Sequence, residues 1–145
     1  MTPETLFQVA NAVALIGWLL LAFAPLLPKI AERTAGYAIP IGLAFFYALT
    51  LGIYMPEADG SFTSLAGVAA GFAVPGVVLV GWLHYLALDL FVGGWEVRTA
   101  RREGIAHWKV LPCLVLTLLA APVGLALFLA LRAYSRRATR SEATA

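Results

Sequence analysis

Residues 110–131, "VLPCLVLTLLAAPVGLALFLAL", contain no charged side chain, and Thr117 is the only hydroxyl among them. About 20 such residues in a helix cross the hydrocarbon of a bilayer. Three further apolar runs precede this one, over about 6–27, 37–54 and 74–92. The chain has 145 residues, 61% hydrophobic and 12% charged, where a soluble domain carries roughly 25% charged residues. A soluble fold of this length has no interior large enough to hide four such runs. The expected fold is an all-α integral membrane protein: one domain of four transmembrane helices, with residues 132–145 as a flexible basic tail.

Local punctuation refines this. Pro75 suits a first helical turn, and Gly93–Gly94 is expected to loosen the third span after Val92. Pro122, eased by Gly124, should break or kink the fourth. Between spans two and three lies "EADGSFTSLAGVAAGFAVPG". Ser61 is the expected N-cap of a short interfacial or re-entrant helix around 61–73, with Phe62, Leu65, Ala69 and Phe72 on one face. Ala38–Gly42 and Gly67–Gly71 are small-residue pairs of the kind that let another helix approach, in a homo-oligomer or a partner complex.

The charges are segregated. Lys29 and Arg33 follow span one, and Arg98, Arg101, Arg102 and Lys109 follow span three, whereas Glu57 and Asp59 follow span two. The positive-inside rule puts both basic loops in the cytoplasm. Four crossings would then leave Arg132, Arg136, Arg137 and Arg140 on the opposite side. A fourth segment that turns back at "APVG" would remove that conflict. The basic residues serve topology, so no nucleic-acid partner is expected. The first run follows Glu4 rather than a basic segment and does not read as a cleavable signal. A single Cys113 gives no intrachain disulfide.

The third span raises the question of function, because "GWLHYLALDLFVGGWE" (81–96) sets ionisable groups at membrane depth. An aspartate at the centre of an inserted helix costs about 2.5–3.5 kcal/mol, so such groups usually face protein or water. If the span ends near Val92, Asp89 lies about one turn from the cytoplasmic edge, within reach of water or of a basic residue in loop three, and His84 lies deeper. At about 100° per residue, Trp82, Tyr85, Asp89 and Glu96 share one stripe, and His84, Leu88, Phe91 and Trp95 another. His84 and Asp89 therefore do not form a same-face pair, while Tyr85 and Asp89 do touch. A desolvated carboxyl beside a phenol suits acid/base chemistry. The candidate catalytic residues are His84, Tyr85 and Asp89. Trp82, Phe91 and Trp95, with Asn11 and Trp18 of span one, are the candidate substrate-binding residues. No metal or other cofactor is expected; a metal held by His84 and Asp89 is the alternative, although no spacing among His84, Asp89, Glu96 and His107 matches a metal motif.

The blocks "GWLHYLALDLFVGGWEVR" and "VLPCLVLTLLAAPVGLALFLALR" resemble the abscisic-acid-deficient-four-like family of small membrane proteins, from about Leu6 to Arg132. That resemblance implies a carotenoid or related polyene as ligand, and an isomerase of the neoxanthin-forming kind, which converts an epoxide to an allene. Its matching positions here are His84, Tyr85, Asp89, Gly93 and Trp95, then Pro112, Cys113, Thr117, Pro122 and Gly124. No long plastid-type extension precedes span one, so the chain reads as a bacterial inner-membrane protein. A non-catalytic carotenoid-binding or scaffold protein is the alternative, and a small transporter using Asp89 a further one.

Overall fold

The computed structural model describes residues 2–57 and 60–143, and among these it contains helices and no strand. Four helices are long and apolar enough to cross a membrane: α1 (Pro3–Ala22), α2 (Pro28–Tyr54), α4 (Pro75–Arg102) and α5, which begins at His107 and runs to Ala143. The short α3 (Leu65–Gly71) precedes α4. Pro3, Pro28 and Pro75 open their helices, where a missing N–H leaves no bond unmade. The helix starts at Pro28 rather than 37 because residues 31–38 form a widened π turn that is continuous with the apolar run. α1 stops at Ala22, short of the expected Leu27, because Pro25 biases the preceding residues away from the helical region.

The short helix is capped by Ser64, not Ser61. Ser64 has an extended backbone and its hydroxyl accepts the Gly67 N–H at 3.0 Å, whereas the Ser61 hydroxyl is engaged with Thr63 at 2.6 Å. Phe62 and Leu65 project outward at 80% and 87% exposure, as a membrane-facing element requires. Gly67 and Gly71 do not offer a free face: a Cβ on Gly67 would meet the Ser61 carbonyl at 2.5 Å, and Gly60 packs on Gly71. Gly42, by contrast, faces open space. Asp59 lies outside the described residues.

α4 is the hub. In its apolar window 56% of residues are buried, against 22–28% in the other three. The helix does not loosen at Gly93–Gly94, because both glycines are packing surfaces. Trp18 of α1 rests on Gly93, and Gly94 meets the backbone of Gly36 on α2, where a Cβ would lie 2.7 Å from its Cα. Such close approach drives helix association in lipid, where apolar burial supplies no preference. α4 instead ends after Arg102 in a C-terminal cap: Gly104 takes φ +70° and the Ile105 N–H returns to the Ala100 carbonyl at 2.9 Å.

α5 is folded on itself. Ala120, two residues before Pro122, leaves the helical region with φ −159° and ψ 79°. A Cβ on Gly124 would collide with the backbone and hydroxyl of Thr117, which in a straight helix would stand about 10 Å away. The Phe128 ring meets Trp95 at 5.4 Å, and Arg132 and Arg136 both bind Glu103. A straight helix would carry Arg132 about 37 Å from His107; here it touches the loop just before His107. Residues 107–119 and 121–143 are thus antiparallel arms of one hairpin. The tail begins as helix, and the break at "APVG" that the sequence left as an alternative is realised.

The hairpin resolves the charge conflict. At one end of the bundle Arg101 pairs with Glu32 at 3.0 Å, the His107 Nε2–H donates to the Ala22 carbonyl at 2.9 Å, and Glu103 clamps Arg132 and Arg136. Both basic loops and the start of the tail share that basic end of the bundle, so they no longer fall on opposite sides. Arg132 and Arg136 hold the Glu103 carboxyl down to about 2.

Candidate active site

Asp89 sits near the midpoint of α4, fourteen residues after Pro75 and thirteen before Arg102, or about 20 Å of helix from either end. It is therefore deeper than a span ending at Val92 would place it. No loop-three base reaches it: Arg101 is taken by Glu32, and Arg98 donates to the Gly36 carbonyl at 3.1 Å. Asp89 is 7% exposed, and its Oδ2 has no hydrogen-bond partner among the described residues. Tyr85, one turn away on the same stripe, interacts with the carboxyl.

Above this pair the stripe opens to the surface. Trp82 stacks on Tyr85, with ring centroids 5.6 Å apart and planes at 23°. The Trp82 indole N–H donates to Asn11 Oδ1 at 3.0 Å, and the Asn11 amide in turn donates to the Phe7 carbonyl at 2.8 Å. Asn11 is thus a positioning group for Trp82 rather than a free polar side chain. Trp82 remains 37% exposed and Tyr85 is half-buried, so aromatic surface is open at bilayer depth beside the buried carboxyl.

Below Asp89, Trp18 covers Gly93, and beyond it lies a second carboxyl. Glu96 is fully buried, the Thr117 hydroxyl donates to its Oε1 at 3.0 Å, and its Oε2 is unpartnered among the described residues. The sequence places Glu96 on the Asp89 stripe and among the metal-ligand types, but not among the candidate catalytic or binding residues. The available signal was its place seven residues after Asp89 on the same stripe, together with Thr117 as the lone hydroxyl in a span. Cys113, also buried, neighbours this carboxyl and is a packing residue.

His84 is elsewhere. It lies on the exposed side of α4, its ring 5.5 Å from that of Tyr47, in a cavity of about 520 Å³ that α3 walls with Phe72 and Gly71. No hydrogen bond joins His84 to Asp89, although the two are near enough to interact electrostatically. The remaining aromatic candidates also separate: Phe91 is exposed beneath the Arg98 guanidinium at 5.6 Å, while Trp95 packs inside the hairpin against Phe128. One chain of contacts thus joins Asp89, Tyr85, Trp82 and Asn11; Trp18 packs on Gly93, one turn from Asp89, and Phe91 and Trp95 stand apart.

The chain matches a family model, ABA DEFICIENT 4-like, over residues 5–128. The chain belongs to the ABA DEFICIENT 4-like family. No curated protein and no solved structure matches it. The matched residues of this ABA DEFICIENT 4-like protein take in Asp89, Glu96 and the hairpin bend, and stop short of Arg132 and Arg136. The family is compatible with a carotenoid-related role.

Proposed function

We propose that this protein is a membrane-embedded isomerase of a carotenoid-like polyene, working by proton transfer at Asp89. The observation that carries the reading is the Asp89 carboxyl: buried at the middle of a membrane helix, with one oxygen unpartnered among the described residues and a phenol and an open aromatic shelf beside it. A structural carboxylate at this depth would be expected to have its oxygens bonded. A polyene lying along α4 from Trp82 brings its reacting end past the half-buried Tyr85 to Asp89.

Opening an allylic epoxide to an allenic alcohol is redox-neutral. The epoxide C–O bond breaks, its oxygen gains a proton, and a polyene carbon loses one. A carboxyl that gives the first proton and takes the second returns to its starting state, and Tyr85 steadies the charged form between the two steps. Water exclusion at this depth strengthens both interactions.

The test is pigment analysis. Cells making epoxidised and non-epoxidised carotenoids would express wild type, Asp89→Asn, Tyr85→Phe and His84→Ala. Isomerisation predicts a new pigment with wild type, none with Asp89→Asn, a yield reduced about 10–100-fold with Tyr85→Phe, and little change with His84→Ala. Unaltered pigments that co-purify with every variant would instead mark a carotenoid-binding protein without catalysis.

A further inference from the structure

At the basic end of the bundle, a cavity of about 400 Å³ opens between the end of α1, the start of α2 and the end of α4. Four of its 13 lining residues are ionisable: Glu32, Arg98, Arg101 and His107. Three of these are committed. Glu32 and Arg101 pair with each other at 3.0 Å, and His107 donates Nε2–H to the Ala22 carbonyl.

Arg98 is different. It is 7% exposed, and no carboxylate among the described residues forms an ion pair with it. Its Nη1 donates to the Gly36 carbonyl in the π turn of α2 at 3.1 Å. Its guanidinium lies 4.3 Å from the centre of the Tyr37 ring, which orients it. Carbonyls at the α4 terminus that would repel an anion are occupied, Arg101 by the Gly104 N–H and Ala100 by the Ile105 N–H. Arg98 thus brings into the cavity a buried guanidinium with donors to spare and no carboxylate bonded to it; Glu32, whose charge also reaches it, is bonded to Arg101, and the other nine walls, Leu21, Pro25, Val97 and Ile105 among them, are apolar. Buried charges in proteins are ordinarily paired.

We propose that this cavity binds the anionic head of an amphiphile, an oxyacid such as a phosphate, with Arg98 as its counter-charge. Apolar walls and a place at the membrane edge favour a lipid source over a free ion. The site is some ten residues along α4 from Asp89 and independent of the isomerase reading.

The test uses the full chain, purified and stripped of lipid. Native mass spectrometry would score retention of phosphatidylglycerol and phosphatidylcholine, and inorganic phosphate would be added as competitor. Phosphatidylglycerol should bind, Arg98→Gln should weaken it at least tenfold, and Glu32→Gln, which frees Arg101, should tighten it severalfold. Competition by millimolar inorganic phosphate would identify the shared oxyacid as what is recognised; lack of competition would identify the lipid as the source. Glu32→Gln lies at a partly exposed position and keeps the test decisive should Arg98→Gln fail to fold. Equal retention of both lipids, unchanged by Glu32→Gln, would overturn the proposal.

Discussion

Replacing Gly124 by alanine tests the hairpin directly, because the straight and folded forms of α5 predict opposite signs. In the hairpin the new methyl would fall on the backbone nitrogen and hydroxyl of Thr117. Backbone cannot swing aside as a side-chain tip can, so the arms must part, an overpacking that typically costs about 1–3 kcal/mol. Parting them also draws the Thr117 hydroxyl from Glu96 Oε1, at 3.0 Å in the wild type, and leaves a fully buried carboxyl without a donor. That loss adds about 1–3 kcal/mol, offset by up to about 1 kcal/mol from alanine's better helix propensity. The net expectation is a destabilisation of about 3 kcal/mol. Gly42→Ala is the control. Gly42 lies inside α2 with nothing within 4 Å of an added Cβ, so that change should stabilise by about 0.5–1 kcal/mol. Unfolding in mixed micelles with increasing dodecyl sulfate, followed by circular dichroism, would measure both. If α5 were straight, both substitutions would shift the midpoint upward by similar amounts, and that result would refute the hairpin.

Two further expectations concern the basic end of the bundle. Glu103 titrates at about 2 in the folded protein, against 4.5 as its ordinary value, because Arg132 and Arg136 hydrogen-bond its charged form. A depressed carboxyl stabilises the fold fully above its unfolded value and loses that contribution as pH falls from about 4.5 toward 2. Melting temperature should therefore drop over that window, and Glu103→Gln should flatten the drop; an unchanged acid limb would dissociate the clamp from stability. Independently, Tyr134, 72% exposed on the outer arm, when replaced by cysteine should react with a membrane-impermeant maleimide from the same side as a cysteine at Lys29. Labelling from opposite sides would mean that α5 crosses.

The four apolar runs and the helical stripes of 81–96 were legible because they depend on local composition and on the helical repeat alone. Helix limits were less so. Gly93–Gly94 reads as a weak point in isolation, and only the neighbours Trp18 and Gly36 turn it into a contact surface. That one misreading ended the helix ten residues early; α4 runs on to Arg102, with Asp89 near its midpoint and His84 nine residues after Pro75. The bend in α5 was half legible: Pro122 announced a break, but whether the chain kinks or reverses is decided by Gly124 against Thr117 and by Glu103 against two arginines, contacts seven to 33 residues apart. Glu96 was legible as a member of the Asp89 stripe but not as a buried group, since its burial depends on the returning hairpin rather than on its own helix.

That reversal also bears on access to the candidate site. The first arm, residues 107–119, spans about 20 Å, roughly half the length of α4. Thr117, near its tip, is level with Glu96, so α5 covers α4 from Arg102 only to about that point. The next two turns of the same stripe carry Asp89 and Tyr85, and Trp82 beyond them is open. A fourth helix that ran straight across the bilayer could have packed along this stripe and closed the shelf. By turning back at Ala120 it seals one carboxyl, Glu96, beneath Thr117 and leaves the stripe above Asp89 open to a long apolar molecule arriving from the lipid. The same break that returns the arginines of the tail to the basic end thus covers Glu96 with Thr117 and leaves Tyr85 and Trp82, on the stripe beyond Asp89, partly exposed.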